Sequence, residues 1–238
     1  MIANVDFTWL TDHLYLKWLV EGTLMTIAIS VAGMAAALAV GVAGAAVIQL
    51  RVPLLQTLAR ILVDLFRNTP PLVQLFFLYF MLSDIGLSAT DAAGRSVPLF
   101  GGFSCVVLSL GFYNGAMAVE IIRSGISAVP AQTIEGARSL GYSSAQIFRQ
   151  VELPMALRLT VPAMTNNVIS LIKTSAQASL IAVADVMYYA TQIMLENFRN
   201  LEVMLVIWLI YLAIASAFAV LARGVERLLH IPGYGAAA

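Results

Sequence analysis

The 238-residue chain predicts an all-α integral membrane protein, with five transmembrane helices and one long helical loop on the cytoplasmic side. Three observations predict it. Hydrophobic residues make up 61% of the chain and charged residues only 11%, whereas a soluble domain of this size carries about a quarter charged residues. Uncharged runs fill residues 24–50, 98–119 and 203–222, each close to the roughly 20 residues a helix needs to cross hydrocarbon. Basic residues also divide unevenly between the two sides of the spans.

The whole chain, 1–238, reads as one domain, with spans expected at about 22–50, 54–82, 98–123, 156–184 and 202–223. The N-terminus lacks the basic stretch of a secretory signal, because Asp6, Asp12 and Glu21 stand in its place, so the first apolar run stays on as a span. Within it Gly33, Ala37, Gly41 and Ala45 recur four apart and line one helix face. Small residues let backbones approach, which is how spans associate in lipid. The second span is interrupted by Asp64 and Arg67 ahead of Pro70-Pro71, with Asp64 and Arg67 at the spacing of a neutralising pair. Residues 83–97 read as a polar outer loop. The third span carries Asn114 and Glu120, and Glu120 and Arg123 form a second pair three residues apart. Lys173 interrupts the fourth span, and residues 185–202 have the mixed composition of an interfacial helix ahead of the fifth.

With the N-terminus outside, the inner side holds Arg51, Arg60, Arg123, Arg138, Arg149, Arg158, Arg223 and Arg227, against Lys17, Arg95 and Arg199 outside. Eight against three orients the chain with its N-terminus out and C-terminus in. The formal net charge is zero, which excludes the basic face a nucleic-acid partner needs. Cys105 is the sole cysteine and reads as a small hydrophobe, so no internal disulfide or thiolate cluster can form. His13 and His230 lie in opposite tails without acidic neighbours, and no metal site is expected.

The inner connection, residues 124–155, is too long to be a mere link and reads as two short helices. Pro130 suits the start of the first, Leu140-Gly141 its end, and Ser143 with Gln146 forms a capping box for the second. Ile147, Phe148 and Val151 give that second helix an apolar edge. A rigid elbow of this kind is shaped to sit in a groove of another protein.

Glu135-Gly136-Ala137, then Gly141, Val151, Leu153 and Pro154, resemble the EAA loop of permease subunits of bacterial binding-protein-dependent ABC importers. The spacing matches throughout, with Gly136 in place of Ala and Val151 in place of Ile. Gly136 costs the short helix about 1 kcal/mol relative to Ala. Arg67-Asn68-Thr69-Pro70-Pro71, Glu120-Ile121-Ile122-Arg123-Ser124-Gly125 and Leu171-Ile172-Lys173-Thr174-Ser175 are similar to the polar amino-acid branch of that family. The branch usually carries a polar residue between Lys and Thr-Ser and a Leu after them, where this chain runs Thr174-Ser175-Ala176-Gln177.

The resemblance implies a subunit of the bacterial inner membrane that carries a polar or charged amino acid from periplasm to cytoplasm. It implies pairing with a second permease, identical or paralogous, docking on a dimer of ATP-binding subunits, and delivery by a periplasmic amino-acid-binding protein. Glu135, Gly136, Ala137, Leu140, Gly141, Phe148 and Pro154 would form the contact with the ATPase. The chain has no G-x-x-x-x-G-K-[ST] loop, so it needs no cofactor of its own, ATP and Mg belong to the partner, and it is not an enzyme.

Polar groups at membrane depth are functional candidates by default. On that ground Lys173, Thr174, Ser175 and Gln177, with Arg67, Asn68, Gln74, Asn114 and Glu120, are the expected substrate pathway, and the Lys173 ammonium is suited to an amino acid's carboxylate. An ion-gradient-driven secondary transporter or channel is the alternative reading, against which stands the lack of internally repeated halves. A membrane enzyme would need its catalytic groups on the spans, and both histidines lie outside them.

Overall fold

The computed structural model describes residues 6–50, 53–86, 88–90, 96–98 and 100–229. Arg51, Arg95 and His230 lie outside the described residues.

The longest helix is α1, His13–Gln49, capped by the Asp12 carboxylate, which accepts from the amide of Leu14 at 2.8 Å. Its 37 residues extend about 55 Å, more than a hydrocarbon core requires. The surplus lies at the N-terminal end, where Trp9, Tyr15, Trp18 and Tyr189 form a chain of ring contacts, the composition of a membrane-interface belt.

The second expected span is two helices, α2 (Leu55–Asn68) and α3 (Pro71–Asp84). Pro70 and Pro71 forbid continuous helical hydrogen bonding, and Thr69 is extended. The expected polar loop contains a small antiparallel hairpin, β1 (Ser88–Thr90) with β2 (Ser96–Pro98), and the fold class is all-α as expected. Next is α4, Gly102–Ser127, more deeply buried than any other span.

The inner loop holds α5 (Ala131–Ser139) and α6 (Ser144–Ile147). The second helix is not short. It continues from α6 through a wide π-helical turn, Phe148–Glu152, into α7, Leu153–Leu159. Pro154 has no N–H and its ring displaces the carbonyl four residues back, and the widened turn absorbs that misfit. The chain then breaks at Thr160, continues as α8 (Val161–Thr174), tightens into a 3₁₀ turn, Ser175–Ile181, and bends by 53° into α9, Val186–Asn197. Asp185 caps α9 by accepting from the amide of Tyr188 at 2.8 Å. The last helix is α10, Asn200–Leu229.

Three helices are individually long and apolar enough to cross a membrane, α1, α4 and most of α10, and the bent pair counts as a fourth. The contacts fix the relative directions of the rest. Gly33 lies against Leu110, Gly41 against Ala118 and Gly44 against Val119, so α1 and α4 run parallel. Segment α7–α8 runs antiparallel to α1, since Gly22 meets Val186, Gly33 meets Leu171, and Ala45 shares a buried cluster with Ala156.

The seam between α1 and α4 is the most extensive interface in the molecule. Gly33, Ala37, Gly41 and Ala45 are all buried in it, as their spacing predicts. Glycines of α4 answer from the other side: a Cβ on Gly111 would fall 2.8 Å from that of Ala36, and one on Gly115 2.7 Å from that of Val40. Neither helix could approach so closely with larger residues.

Candidate functional site

Two regions collect the residues singled out by sequence. The first lies at membrane depth on α8. Asn166, Ser170 and Lys173 are exposed and Gln177 is half-buried, whereas Leu171 and Ile172 are buried against the core. The spacing of three and four puts these four polar residues in one stripe of the helix. From Asn166 to Lys173 the stripe rises about 10 Å. Lys173 makes no ion pair among the described residues.

At the inner end of α8 the stripe runs past exposed Ala163 into a cleft of about 450 Å³, whose walls include Arg67 of α2 and Glu120 of α4. Glu120 bridges two cations there: Arg67 Nη1 lies 3.8 Å from one carboxylate oxygen and Arg123 Nη1 donates to the other at 3.0 Å. Arg67 therefore reaches across to α4 instead of pairing with Asp64 on its own helix. Asp64 and Arg60 line a second cleft, of about 240 Å³, against the same three residues. All three members of the triad are about one-third exposed.

Other expected pathway residues are occupied within the fold. Gln74 is buried and its Nε2 donates to the carbonyls of Phe66 and Thr69 and to the Thr69 hydroxyl, at 2.8, 3.1 and 2.6 Å. It closes the break between α2 and α3. Asn114 is fully buried, donates to the Leu110 carbonyl, and offers its own carbonyl to Nδ2 of Asn167 at 2.9 Å, joining α4 to α8. The Thr174 hydroxyl donates to Ser170 and that of Ser175 to Ile172, so both hydroxyls bond their own helix backbone. Asn68 is exposed beside the Pro70 break. Sequence reasoning missed Asn166 and Ser170, although their spacing to Lys173 was the available signal.

The second region is the elbow formed by α5 and α6. Gly141 follows α5 at φ +83°, its amide donating to Arg138 at 2.9 Å, while the Tyr142 amide donates to Ala137 at 3.2 Å. This pair of bonds is the Schellman arrangement that a left-handed glycine permits. The capping box beyond it is complete, with Ser143 N donating to Gln146 Oε1 at 2.8 Å and Gln146 N to Ser143 Oγ at 3.3 Å. Glu135, Gly136 and Gly141 are exposed, and Leu140 is 79% exposed at the tip. Ala137 is buried. Phe148 does not face outward as an apolar edge for a partner: it is buried with Ala45, Ile122, Ile126 and Ala156, where it anchors the elbow to α1 and α4.

An intramembrane polar stripe with a charged cleft at one end, joined by one near-continuous helical segment to a capped elbow, is the anatomy of a transport component. Residues 33–231 match the family described as binding-protein-dependent transport system inner membrane component, and the chain belongs to it. It is similar to the L-cystine transport system permease protein TcyL of Bacillus subtilis, 33% identical over 74% of this chain and 72% of that one. It is also similar to the glutamate/aspartate import permease protein GltJ of Escherichia coli K12, 30% identical over 97% and 98% of the two chains. Among solved structures, an amino acid ABC transporter with histidines matches with a TM-score of 0.78 at 29% identity, over 94% of this chain and 98% of that one. The MetNI methionine ABC transporter in an inward-facing form shares the fold, with a TM-score of 0.76 at 18% identity over 92% and 100%.

Proposed function

We propose that this chain is one translocation subunit of an ATP-driven amino-acid importer, moving a polar or charged amino acid from periplasm to cytoplasm. The parallel run of α1 and α4 and the antiparallel run of α7–α8 support alternating crossings, five in all with α2–α3 and α10, and the excess of basic residues on one side supports an N-terminus outside. One observation carries the reading. In a chain of this family, the stripe Asn166–Ser170–Lys173–Gln177 is polar at membrane depth and faces away from its own core. Such groups face water or a partner, not lipid, so a second permease subunit, identical or paralogous, completes the pathway.

In this scheme the Lys173 ammonium pairs with a carboxylate of the passing amino acid, and Asn166, Ser170 and Gln177 supply neutral hydrogen bonds. The Arg67–Glu120–Arg123 triad holds the inner end. The elbow from Glu135 to Ser143 seats on an ATP-binding subunit, which binds ATP and Mg, and a periplasmic binding protein delivers the substrate.

The test is reconstitution with the cognate ATP-binding subunit and binding protein, followed by competition uptake across amino-acid classes. Lys173→Met keeps the chain length and removes the charge, and uptake should drop at least tenfold with assembly intact. Normal rate and apparent affinity in that variant would end the assignment of Lys173. Uptake driven by an ion gradient without ATP would establish the carrier alternative.

A further inference from the structure

We infer that Glu152 is the positioning residue through which the cytoplasmic loop grips α1, and that Arg138 closes onto it as its counter-charge when the ATP-binding partner docks. The inference rests on the permease reading above and names a coupling contact within it. Glu152 is only 7% exposed and sits in the wide turn between α6 and α7. Its two oxygens lie 3.2 and 3.3 Å from Nε2 of Gln49, the last residue of α1. Among the described residues, this is the one side-chain hydrogen bond joining α1 to residues 128–160. A carboxylate presents about four acceptor sites, and a single amide nitrogen cannot satisfy them. A buried charge so poorly matched is costly unless a cation is close at hand in some state of the protein.

The cation is across a cavity. A space of about 270 Å³ separates α5 from the wide turn, and Gln49, Arg138, Ser144 and Glu152 are its polar walls. Arg138 stands in the last turn of α5, is exposed, and makes no ion pair among the described residues. Within α5 only Ala137 is buried, whereas Phe148 is buried against α1 and α4 and Glu152 is bonded to the end of α1. Pressure on the elbow would therefore move α5 first and carry Arg138 toward Glu152. Apolar contacts such as that of Phe148 slide, but a charge-assisted hydrogen bond has direction. Through Gln49 the displacement reaches α1 and, across the small-residue seam, α4.

Proteoliposomes holding the complete transporter test this. Glu152→Gln keeps the shape and can still accept from Gln49, but carries no charge, and Arg138→Gln removes the cation. Each should reduce substrate carried per ATP hydrolysed by about fivefold or more, and in Glu152→Gln, which lies outside the docking elbow, assembly by size exclusion and basal hydrolysis should stay within about twofold of wild type. The double variant should be no worse than either single one, because both act on one pair. Wild-type coupling in Glu152→Gln, or losses that multiply in the double variant, would overturn the inference. So would failure of Glu152→Gln to assemble, which would assign the residue to folding alone. A wild-type transporter without substrate-stimulated hydrolysis would remove the permease reading itself, and the inference with it.

Discussion

Gly125 of α4 packs against the break between α7 and α8, the helical lever that joins the elbow to α8, and Gly125→Ala has a cost that can be worked from the geometry. A Cβ there would sit 2.5 Å from Cγ2 of Thr160, 2.8 Å from the carbonyl oxygen of Ala156 and 3.2 Å from its Cα. Carbon atoms in good contact stand about 3.5–4.0 Å apart, so the overlap with the threonine methyl is about 1 Å. Thr160 cannot turn aside freely, since its hydroxyl donates to Ala156 at 2.8 Å and sits 3.3 Å from the carbonyl of Leu157. The Ala156 carbonyl is backbone and cannot turn at all. Relief therefore comes from parting α4 and α7, at about 1–3 kcal/mol for overpacking, of which alanine's better helix propensity returns about 1 kcal/mol. A net loss of about 0–2 kcal/mol lowers Tm by up to about 8 °C. Because the strain falls on the break that joins the elbow to α8, uptake should decline more than assembly. Thermal unfolding in detergent, paired with uptake in proteoliposomes, measures both. Thr160→Ser removes the offending methyl and should restore part of the loss in the double variant. If the bulkier Gly125→Val has wild-type Tm and uptake, the close approach is not a constraint and the lever argument fails.

Gly141→Val meets open space, with nothing within 4 Å of its Cβ, yet must hold φ near +83°. Strain of about 1–2 kcal/mol confined to the elbow should leave Tm nearly unchanged while uncoupling ATP hydrolysis from uptake. Glu135→Ala should do so more mildly, and unchanged hydrolysis and uptake in both would exclude this loop as the contact. Gln74→Leu strips the break between α2 and α3 of three donated contacts, and the buried carbonyls left behind should cost about 1–3 kcal/mol, readable as a lower Tm. Near the N-terminus Asp6 accepts from Thr8 and pairs with Arg199, tying the N-terminal segment to the α9–α10 corner. Its carboxyl is held below the ordinary 3.8, first by the Thr8 backbone hydrogen bond. A depressed carboxyl stabilises its folded contacts fully above the unfolded value and loses that contribution as pH falls through the folded one. The protection factor of the Thr8 amide should therefore fall only below pH 3.8, and protection already lost at neutral pH would contradict the assignment.

The elements that depend on local rules were legible before any coordinates. Gly141 and the Ser143–Gln146 box are set by backbone conformation and capping, and each formed where its residues allow. The spacing of Gly33, Ala37, Gly41 and Ala45 likewise declared a close helix contact, though not that α4 would supply it. Less could be read where partners are distant in sequence. Arg67 has Asp64 three residues away, but the second span breaks at Pro70, and packing of α2 on α4 brings Glu120 within reach instead. Gln74 and Asn114 looked like pathway residues because polar groups at that depth usually are. Their burial, and their bonds to backbone freed by a helix break or lying across an interface, give them structural work that periodicity cannot reveal. Phe148 sits on an apolar edge of its helix, but which neighbour covers that edge is a property of the assembled bundle.

The outward stripe on α8 also bears on the life of the chain before it finds its partners. A newly inserted copy would hold the Lys173 ammonium, two amides and a hydroxyl against hydrocarbon. For the lysine alone, insertion near the bilayer centre costs about 2.5–3.5 kcal/mol. An unassembled copy should thus be less settled in the bilayer, and more open to proteolysis, than a paired one. Production in excess of its partners should therefore yield a short-lived protein, and Lys173→Leu should lengthen the survival of the unassembled chain even as it disables transport.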